Sequence, residues 1–118
     1  MKKNILIVLL AIPFVLFSRT AYAGPCETQN DNGEMIQCAN LLYDEADDTL
    51  NEVWHALSNR TRNTLRPSQR NWMNNRDPIC KTEADEIAGE GTMWPIIFLG
   101  CKTTKTKERT EYLEQFLN

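Results

Sequence analysis

The chain has 118 residues, of which 16 are acidic, 13 are basic and 42% are hydrophobic. This length suits one small domain. The acidic balance argues against nucleic acid and against an anionic membrane surface as partners, because both attract clusters of lysine and arginine.

Residues 1–23 have the pattern of a bacterial secretory signal peptide. Two lysines precede an apolar run at 5–17, and a small-x-small sequence follows, with cleavage expected after Ala23. The apolar run is too short to span a bilayer comfortably, and the proline before Cys26 fits a lipid-attachment site poorly. We therefore expect a periplasmic or secreted protein without a stable membrane anchor, whose mature domain is 24–118.

Cleavage would make the protein more acidic. Lys2, Lys3 and Arg19 leave with the signal and no acid does, so 10 basic residues remain against 16 acidic ones and the net charge is −6. Such a charge favours a basic protein partner, because opposite charges steer diffusional encounter.

All four cysteines, Cys26, Cys38, Cys80 and Cys101, lie in the mature domain. An even number of cysteines in a short exported chain predicts two disulfides. The sequence allows three pairings; we predict the pairing of sequence neighbours, Cys26–Cys38 and Cys80–Cys101. No CxxC motif is present, which argues against a redox enzyme.

The first predicted helix extends from about Gly33 to Leu57. Asp31 and Glu34 have the spacing of a capping box at its start, with Asn32 as a rival cap. Two apolar seams run along this helix, so it should pack against two neighbours. The seams consist of Met35, Ala39, Leu42, Ala46, Leu50, Val53 and Leu57, and of Tyr43, Asp47, Leu50 and Trp54.

Prolines determine the limits predicted for the second helix. It begins either near Thr61, with a kink at Pro67, or at Pro67 itself, because proline is tolerated in the first turn and not in the interior. We expect it to end near Arg76, before Pro78. Residues 81–93, with four acids and two glycines, are predicted to form a loop.

The third predicted helix begins near Pro95 and ends at Leu117. Its stretch 96–99 is apolar on all sides and is placed deep in the core. The predicted fold is therefore all-α: a small three-helix bundle, with the second helix kinked or split at Pro67, held by two disulfides.

Few residues suit catalysis or metal binding. His55 is the one histidine, and the acids at 44, 45, 47 and 48 point around a helix instead of facing each other. A glycosidase needs two carboxylates across a cleft. We predict no catalytic residue, no metal site and no cofactor, and therefore a protein that is not an enzyme.

Polar residues inside the apolar stripes predict an internal network. Gln69 and Arg76 share a helix face with Trp72, and a buried arginine is tolerated when it is paired. We predict that Arg76 pairs with Asp47, with Arg109 as a rival partner for that acid. The predicted network, which would fix the register of the helices, consists of Asp47, Asn51, Gln69, Arg76, Asp77 and Arg109.

The same residues carry a resemblance to a known family. The pieces occur in order over nearly all of the mature chain: Cys38, YDEADDTLNEVW at 43–54, LRPSQRNWMNNRDPIC at 65–80, GTM at 91–93, and CKTTKTKER at 101–109 with Leu113. The chain resembles the lysozyme inhibitor LprI N-terminal domain family. It departs from the family pattern at Trp54, where a tyrosine is expected, and at Pro67.

The resemblance implies an exported, disulfide-bonded helical domain that inhibits lysozyme or a related peptidoglycan-cleaving enzyme. The candidate partner-binding loop is 82–94, with Glu90, Thr92 and Trp94. The protein partner would be a basic lysozyme. The alternative is a periplasmic immunity or adaptor protein that binds another secreted or envelope partner.

Overall fold

The computed structural model describes residues 25–118, and the regular structure in this part of the chain is α-helical. A one-turn helix, α1 (Pro25–Thr28), precedes three long helices, α2 (Asn32–Ala56), α3 (Asn59–Ala88) and α4 (Trp94–Glu114). The predicted signal peptide lies outside the described residues. Within these residues, no helix combines the length and the apolar character that a membrane crossing requires.

Helix α4 is the central element. It packs against both α2 and α3, whereas α1 packs on α2. The prediction of an all-α fold with two disulfides is confirmed. The predicted count of three helices differs from the four in the described residues, because the one-turn helix α1 precedes the first predicted helix.

The start of α2 depends on local hydrogen bonds. The Asp31 carboxylate accepts from the backbone N–H of Glu34 at 2.8 Å, and the Glu34 carboxylate accepts from the backbone N–H of Asn30 at 2.6 Å. Asp31 is therefore the N-cap, and Asn32 is the first helical residue. The first bond satisfies one of the backbone donors that a helix start leaves without partners, and the second holds the residue just before the N-cap.

The predicted limits of the second helix were wrong. Helix α3 runs without interruption through both Pro67 and Pro78 and continues to Ala88. The loop predicted at 81–93 is therefore reduced to 89–93. Each proline removes one backbone hydrogen bond, but both prolines are on the exposed side of the helix, where water can bond to the freed carbonyls.

Packing against α4 explains why α3 continues beyond Pro78. Cys80 and Ala84 are fully buried, and Cys80 is bonded to Cys101 of α4. The helix ends at Gly89, whose φ of 55° suits glycine, and the N–H of Gly89 donates to the carbonyl of Asp85 at 3.0 Å. Tertiary contacts thus outweigh the local effect of the proline.

The two disulfides join the sequence neighbours. Cys26 is bonded to Cys38 with a Cα–Cα distance of 4.7 Å, and Cys80 is bonded to Cys101 with a Cα–Cα distance of 5.5 Å. The first bond attaches the one-turn helix α1 to α2, and the second attaches α3 to α4.

The hydrophobic core lies where the C-terminal part of α4 meets the α2–α3 junction. Four buried leucines form it, with Val53, Trp54 and Trp72 packed against them. The prediction that the stretch 96–99 lies deep in the core is wrong: it is only half-buried, because it lies at the other end of α4. The core leucines are Leu50, Leu57, Leu65 and Leu113.

Candidate functional site

A cluster of polar and aromatic side chains surrounds Arg76. The Arg76 side chain is 11% exposed, and its Nε donates to Asp77 Oδ1 at 3.0 Å. Its Nη1 donates to Thr106 Oγ1 at 3.4 Å. Its guanidinium carbon lies 5.2 Å from the ring centroid of Tyr43 and 5.3 Å from that of Trp72. Arg76 thus joins α2, α3 and α4.

A second cation, Lys102, lies beside the same tyrosine. Its Nζ is 4.1 Å from the ring centroid of Tyr43 and 3.8 Å from Asp77 Oδ1. Burial raises the pKa of the Tyr43 phenol, although the charge of Arg76 acts in the opposite direction. The phenol is therefore neutral at physiological pH, and its ring can contact both cations.

The ion pair predicted between Arg76 and Asp47 does not form. Arg76 is paired with its neighbour Asp77 instead, and no ion pair within residues 26–118 includes Asp47. Helix α2 packs chiefly against α4, and this keeps the Asp47 carboxylate beyond ion-pair distance of Arg76 on α3. Asn51 is exposed, and its backbone carbonyl contacts His55 Nδ1 at 2.7 Å.

Gln69 and Arg109 form a second polar group between α3 and α4. Arg109 Nε donates to Gln69 Oε1 at 2.7 Å, and Arg109 Nη2 donates to Ser68 Oγ at 3.0 Å. The Arg109 guanidinium carbon lies 4.6 Å from the ring centroid of Tyr112. The predicted network residues therefore separate into two groups, one centred on Arg76 and one centred on Arg109.

Ser68, Lys102 and Thr106 are polar members of these groups that were not predicted. Helical spacing could have indicated two of them, since Lys102, Thr106, Arg109 and Leu113 follow one another at intervals of four, three and four residues along one face of α4. Thr106 is fully buried, so its hydroxyl is fixed where Arg76 can donate to it.

We expect double-mutant cycles to show that Arg76 interacts with Tyr43 and not with Asp47. The coupling free energy between Arg76→Ala and Tyr43→Leu should be about 0.5–2 kcal/mol, because the guanidinium is largely desolvated over the ring. The coupling between Arg76→Ala and Asp47→Ala should be near zero. Urea unfolding of the single and double variants measures both. A coupling to Asp47 larger than that to Tyr43 would contradict this arrangement.

A groove of about 480 Å³ runs between α3 and α4 beside these groups. Its α3 side includes Trp72 and Arg76, and its α4 side includes Lys105, Arg109 and Tyr112. The groove combines cationic side chains with aromatic and aliphatic surface. The other residues that line it are Ser68, Asn71, Asn75, Ile79 and Glu108.

The predicted partner-binding residues lie at the tip of the α3–α4 hairpin. Glu90 and Thr92 are exposed in the loop 89–93, whereas Trp94 is the first residue of α4 and is half-buried. The Trp94 ring stacks on Phe98 with centroids 4.9 Å apart. We call residues 87–94 the tip.

Hydrogen bonds and apolar side chains define the surface of the tip. The Trp94 indole donates to Asp85 Oδ1 at 2.7 Å, so its N–H group is already occupied. Ile87 is 64% exposed and Met93 is 41% exposed. The tip therefore presents apolar side chains next to the exposed polar groups of Glu90 and Thr92.

The hydrogen bond between Asp85 and Trp94 should be lost when the Asp85 carboxylate is protonated at low pH. Hydrogen bonds from Lys81 and from Trp94 lower the pKa of this carboxyl below its ordinary value. A carboxyl with a lowered pKa stabilises the fold above its unfolded-state pKa, and that contribution is lost as the pH falls through the folded-state pKa. We expect the indole N–H resonance of Trp94 to titrate with a midpoint below 3.8, the ordinary Asp value.

The control is Asp85→Asn, which should abolish that titration in an NMR series. A midpoint at or above the ordinary aspartate pKa would contradict the hydrogen bonds assigned to this carboxylate.

The part of the chain that the structure describes contains no group of three or more His, Cys, Asp or Glu side chains that could hold a metal ion. The four acids at 44, 45, 47 and 48 lie on one helix, α2, so they do not face each other across a cleft as a glycosidase requires.

A family model described as lysozyme inhibitor LprI matches residues 25–113, which is more than half of the chain. No curated protein and no solved structure matches the chain.

Proposed function

The chain belongs to the lysozyme inhibitor LprI family, and we propose that it is an exported, non-enzymatic inhibitor of a lysozyme or a related peptidoglycan-cleaving enzyme. The family match carries this proposal. It spans the three long helices nearly to the end of α4 and includes all four disulfide-bonded cysteines. The two disulfides agree with export to an oxidising compartment.

Charge supports a basic target. After removal of the proposed signal peptide, the 16 acidic residues would exceed the basic ones by six. Exposed acids on α2, including Asp44, Glu45, Asp48 and Glu52, are not paired with any cation in the described residues. They would speed association with a basic enzyme, and added salt would reduce this effect.

We place the contact with the enzyme at the tip. An inhibitor must block a cleft that contains two carboxylates, and backbone N–H groups can donate to them. The N–H groups of Gly89, Gly91 and Trp94 bond within the hairpin, whereas those of Thr92 and Met93 have no backbone acceptor among the described residues. Thr92 adds a hydroxyl donor beside them.

Acids near the tip would oppose such a contact, and the structure reduces that conflict. Asp85 is paired with Lys81 at 2.6 Å and accepts from the Trp94 indole. Glu83 and Glu86 lie on α3, before the loop begins. Glu90 is the acid within the loop itself, and it could pair with a basic residue at the rim of the enzyme's cleft.

The first test is a titration of the protein, exported with its own leader and purified with both disulfides formed, into lysozyme activity assays. Enzymes of the c, g and i types should be used at two salt concentrations. We expect inhibition of one type, weaker at the higher salt. Absence of inhibition of all three would contradict lysozyme as the target and would favour an envelope partner of another kind, to be sought by pull-down from periplasm.

A matched pair of variants tests the tip. The double variant Glu90→Ala/Thr92→Ala should weaken inhibition at least tenfold without changing Tm, because both residues are exposed. The double variant Thr82→Ala/Glu83→Ala removes the same two side-chain types from the exposed side of α3 and should leave inhibition unchanged. Equal inhibition by both double variants would contradict the placement at the tip while leaving the proposed activity intact.

A further inference from the structure

The groove between α3 and α4 concentrates positive charge on a protein that is acidic overall. Arg76, Lys105 and Arg109 line it, with Glu108 as the acid among its lining residues. Asp77 offsets the charge of Arg76, so Lys105 and Arg109 supply the local excess. The whole chain has a formal net charge of −3. A local excess of cations in a concave site attracts anions more strongly than the same charges on a flat surface, because the walls focus the field.

Arg109 has no carboxylate partner. Within residues 26–118 no acid lies within ion-pair distance of it, and residues 1–24 contain no acid. Its hydrogen bonds go to the neutral oxygens of Gln69 and Ser68. Burial lowers the pKa of its guanidinium, which indicates that its charge is incompletely solvated. A half-buried charge without a counter-ion favours binding of an anion.

Each arginine of the groove keeps one nitrogen available. Arg76 uses Nε and Nη1 for Asp77 and Thr106, and Arg109 uses Nε and Nη2. No buried side-chain nitrogen of the described residues lacks a hydrogen-bond partner, so the remaining Nη2 of Arg76 and Nη1 of Arg109 reach solvent. Both guanidinium groups are fixed by their bonds, which lowers the entropy cost of binding a carboxylate.

Apolar surface accompanies these donors. Trp72 is half-buried in the groove, Ile79 is 50% exposed and Tyr112 is 39% exposed. Aromatic side chains beside arginines are typical of the central residues of protein interfaces. An inorganic anion would leave this apolar surface uncovered, whereas a peptide with acidic and apolar side chains would cover it.

We propose that the α3–α4 groove binds an acidic peptide segment of a protein partner, with carboxylates of that segment on Arg76 and Arg109. This surface differs from the tip, and its charge would repel a basic lysozyme. The proposal therefore does not depend on lysozyme inhibition, and the protein would have two binding surfaces of opposite character.

The test is isothermal titration calorimetry of the full exported protein with a short, acetylated and amidated peptide of alternating glutamate and leucine. The control peptide has glutamine in place of glutamate. We expect saturable binding of the glutamate peptide that weakens as salt is added, and at least tenfold weaker binding of the glutamine peptide. Equal binding of the two peptides would overturn the proposal.

Three variants localise the binding. Arg109→Gln and Lys105→Gln should each weaken binding of the glutamate peptide, Arg109→Gln by at least tenfold and Lys105→Gln by about threefold. Lys107→Gln removes the same charge from α4 outside this groove and should leave binding unchanged. Lys105→Gln keeps the test informative if Arg109→Gln fails to fold. Equal effects at Lys105 and Lys107 would show non-specific attraction and overturn the proposal.

Measuring lysozyme inhibition by the groove variant distinguishes the role of the groove from that of the tip. Lys105→Gln should retain the inhibition of the unsubstituted protein while it binds the glutamate peptide about threefold more weakly. A parallel loss of both activities would show that the groove is part of the enzyme contact and would overturn its assignment as a separate surface.

Discussion

Replacing both Cys80 and Cys101 with alanine is expected to lower the free energy of unfolding by about 3–5 kcal/mol, because the bond between them restricts the unfolded chain. The two cysteines are 21 residues apart, and a loop of this size accounts for about 3 kcal/mol in the chain-entropy model. Cys80 is also fully buried, so its removal costs packing. This loss is a large share of the stability of a small domain.

Thermal unfolding followed by circular dichroism measures the effect, and a fall in Tm of roughly 12–30 °C is expected for a domain of this size. The control is the double variant Cys26→Ala/Cys38→Ala. That bond attaches one turn of helix to α2, so its loss releases α1 locally and should lower Tm by less. A smaller effect at Cys80–Cys101 than at Cys26–Cys38 would contradict this assignment.

The double variant Cys80→Ala/Cys101→Ala should also show that the C-terminal part of α3 is held in place by α4. Residues 79–88 follow a proline that removes a helical hydrogen bond, and the disulfide holds this segment against α4. We therefore expect the backbone amides of 81–88 to exchange with solvent faster once the disulfide is removed.

Leu113→Ala should have the second large effect, a loss of about 2–5 kcal/mol in the free energy of unfolding. Leu113 is fully buried and forms the core with Leu50, Leu57 and Leu65. Its truncation leaves a cavity where α2, α3 and α4 meet, and neighbours on three helices can relax only in part. Urea unfolding measures the loss as a lower midpoint at an unchanged m-value.

Leu117→Ala is the matched control. Leu117 is 41% exposed and follows the end of α4, so the same truncation should change the free energy of unfolding by less than about 0.5 kcal/mol. Similar losses at the two leucines would show that the C-terminal end of the chain is packed differently from the structure described.

Local signals in the sequence predicted the limits of α2 and the all-α class. The predicted first helix, from about Gly33 to Leu57, differs by one residue at each end from the observed Asn32–Ala56. The interaction of Asp31 with Glu34 joins residues three apart, so it is encoded wherever the two residues occur at that spacing. The family resemblance was equally a property of the sequence, and the family match confirms it.

Local signals failed where distant contacts decide the structure. Pro78 predicted the end of a helix, and the glycines and acids of 81–93 predicted a loop. Burial of Cys80 and Ala84 against α4 instead keeps the chain helical to Ala88. One lost hydrogen bond on an exposed face costs less than this packing contributes, and a sequence pattern does not show which segment packs on which.

For the polar residues too, local spacing predicted part of the arrangement and distant contacts decided the rest. Helical spacing placed Gln69 and Arg76 on one face with Trp72, because the period of the helix depends on sequence alone. Their partners depend on which helices are adjacent. Since α4 packs against both α2 and α3, Arg109 donates to Gln69 and Arg76 donates to Thr106. Asp47 forms no ion pair with either arginine. The sequence determined which residues share a helix face, and only the packing of the helices decided which faces are buried, which side chains pair and where a groove remains.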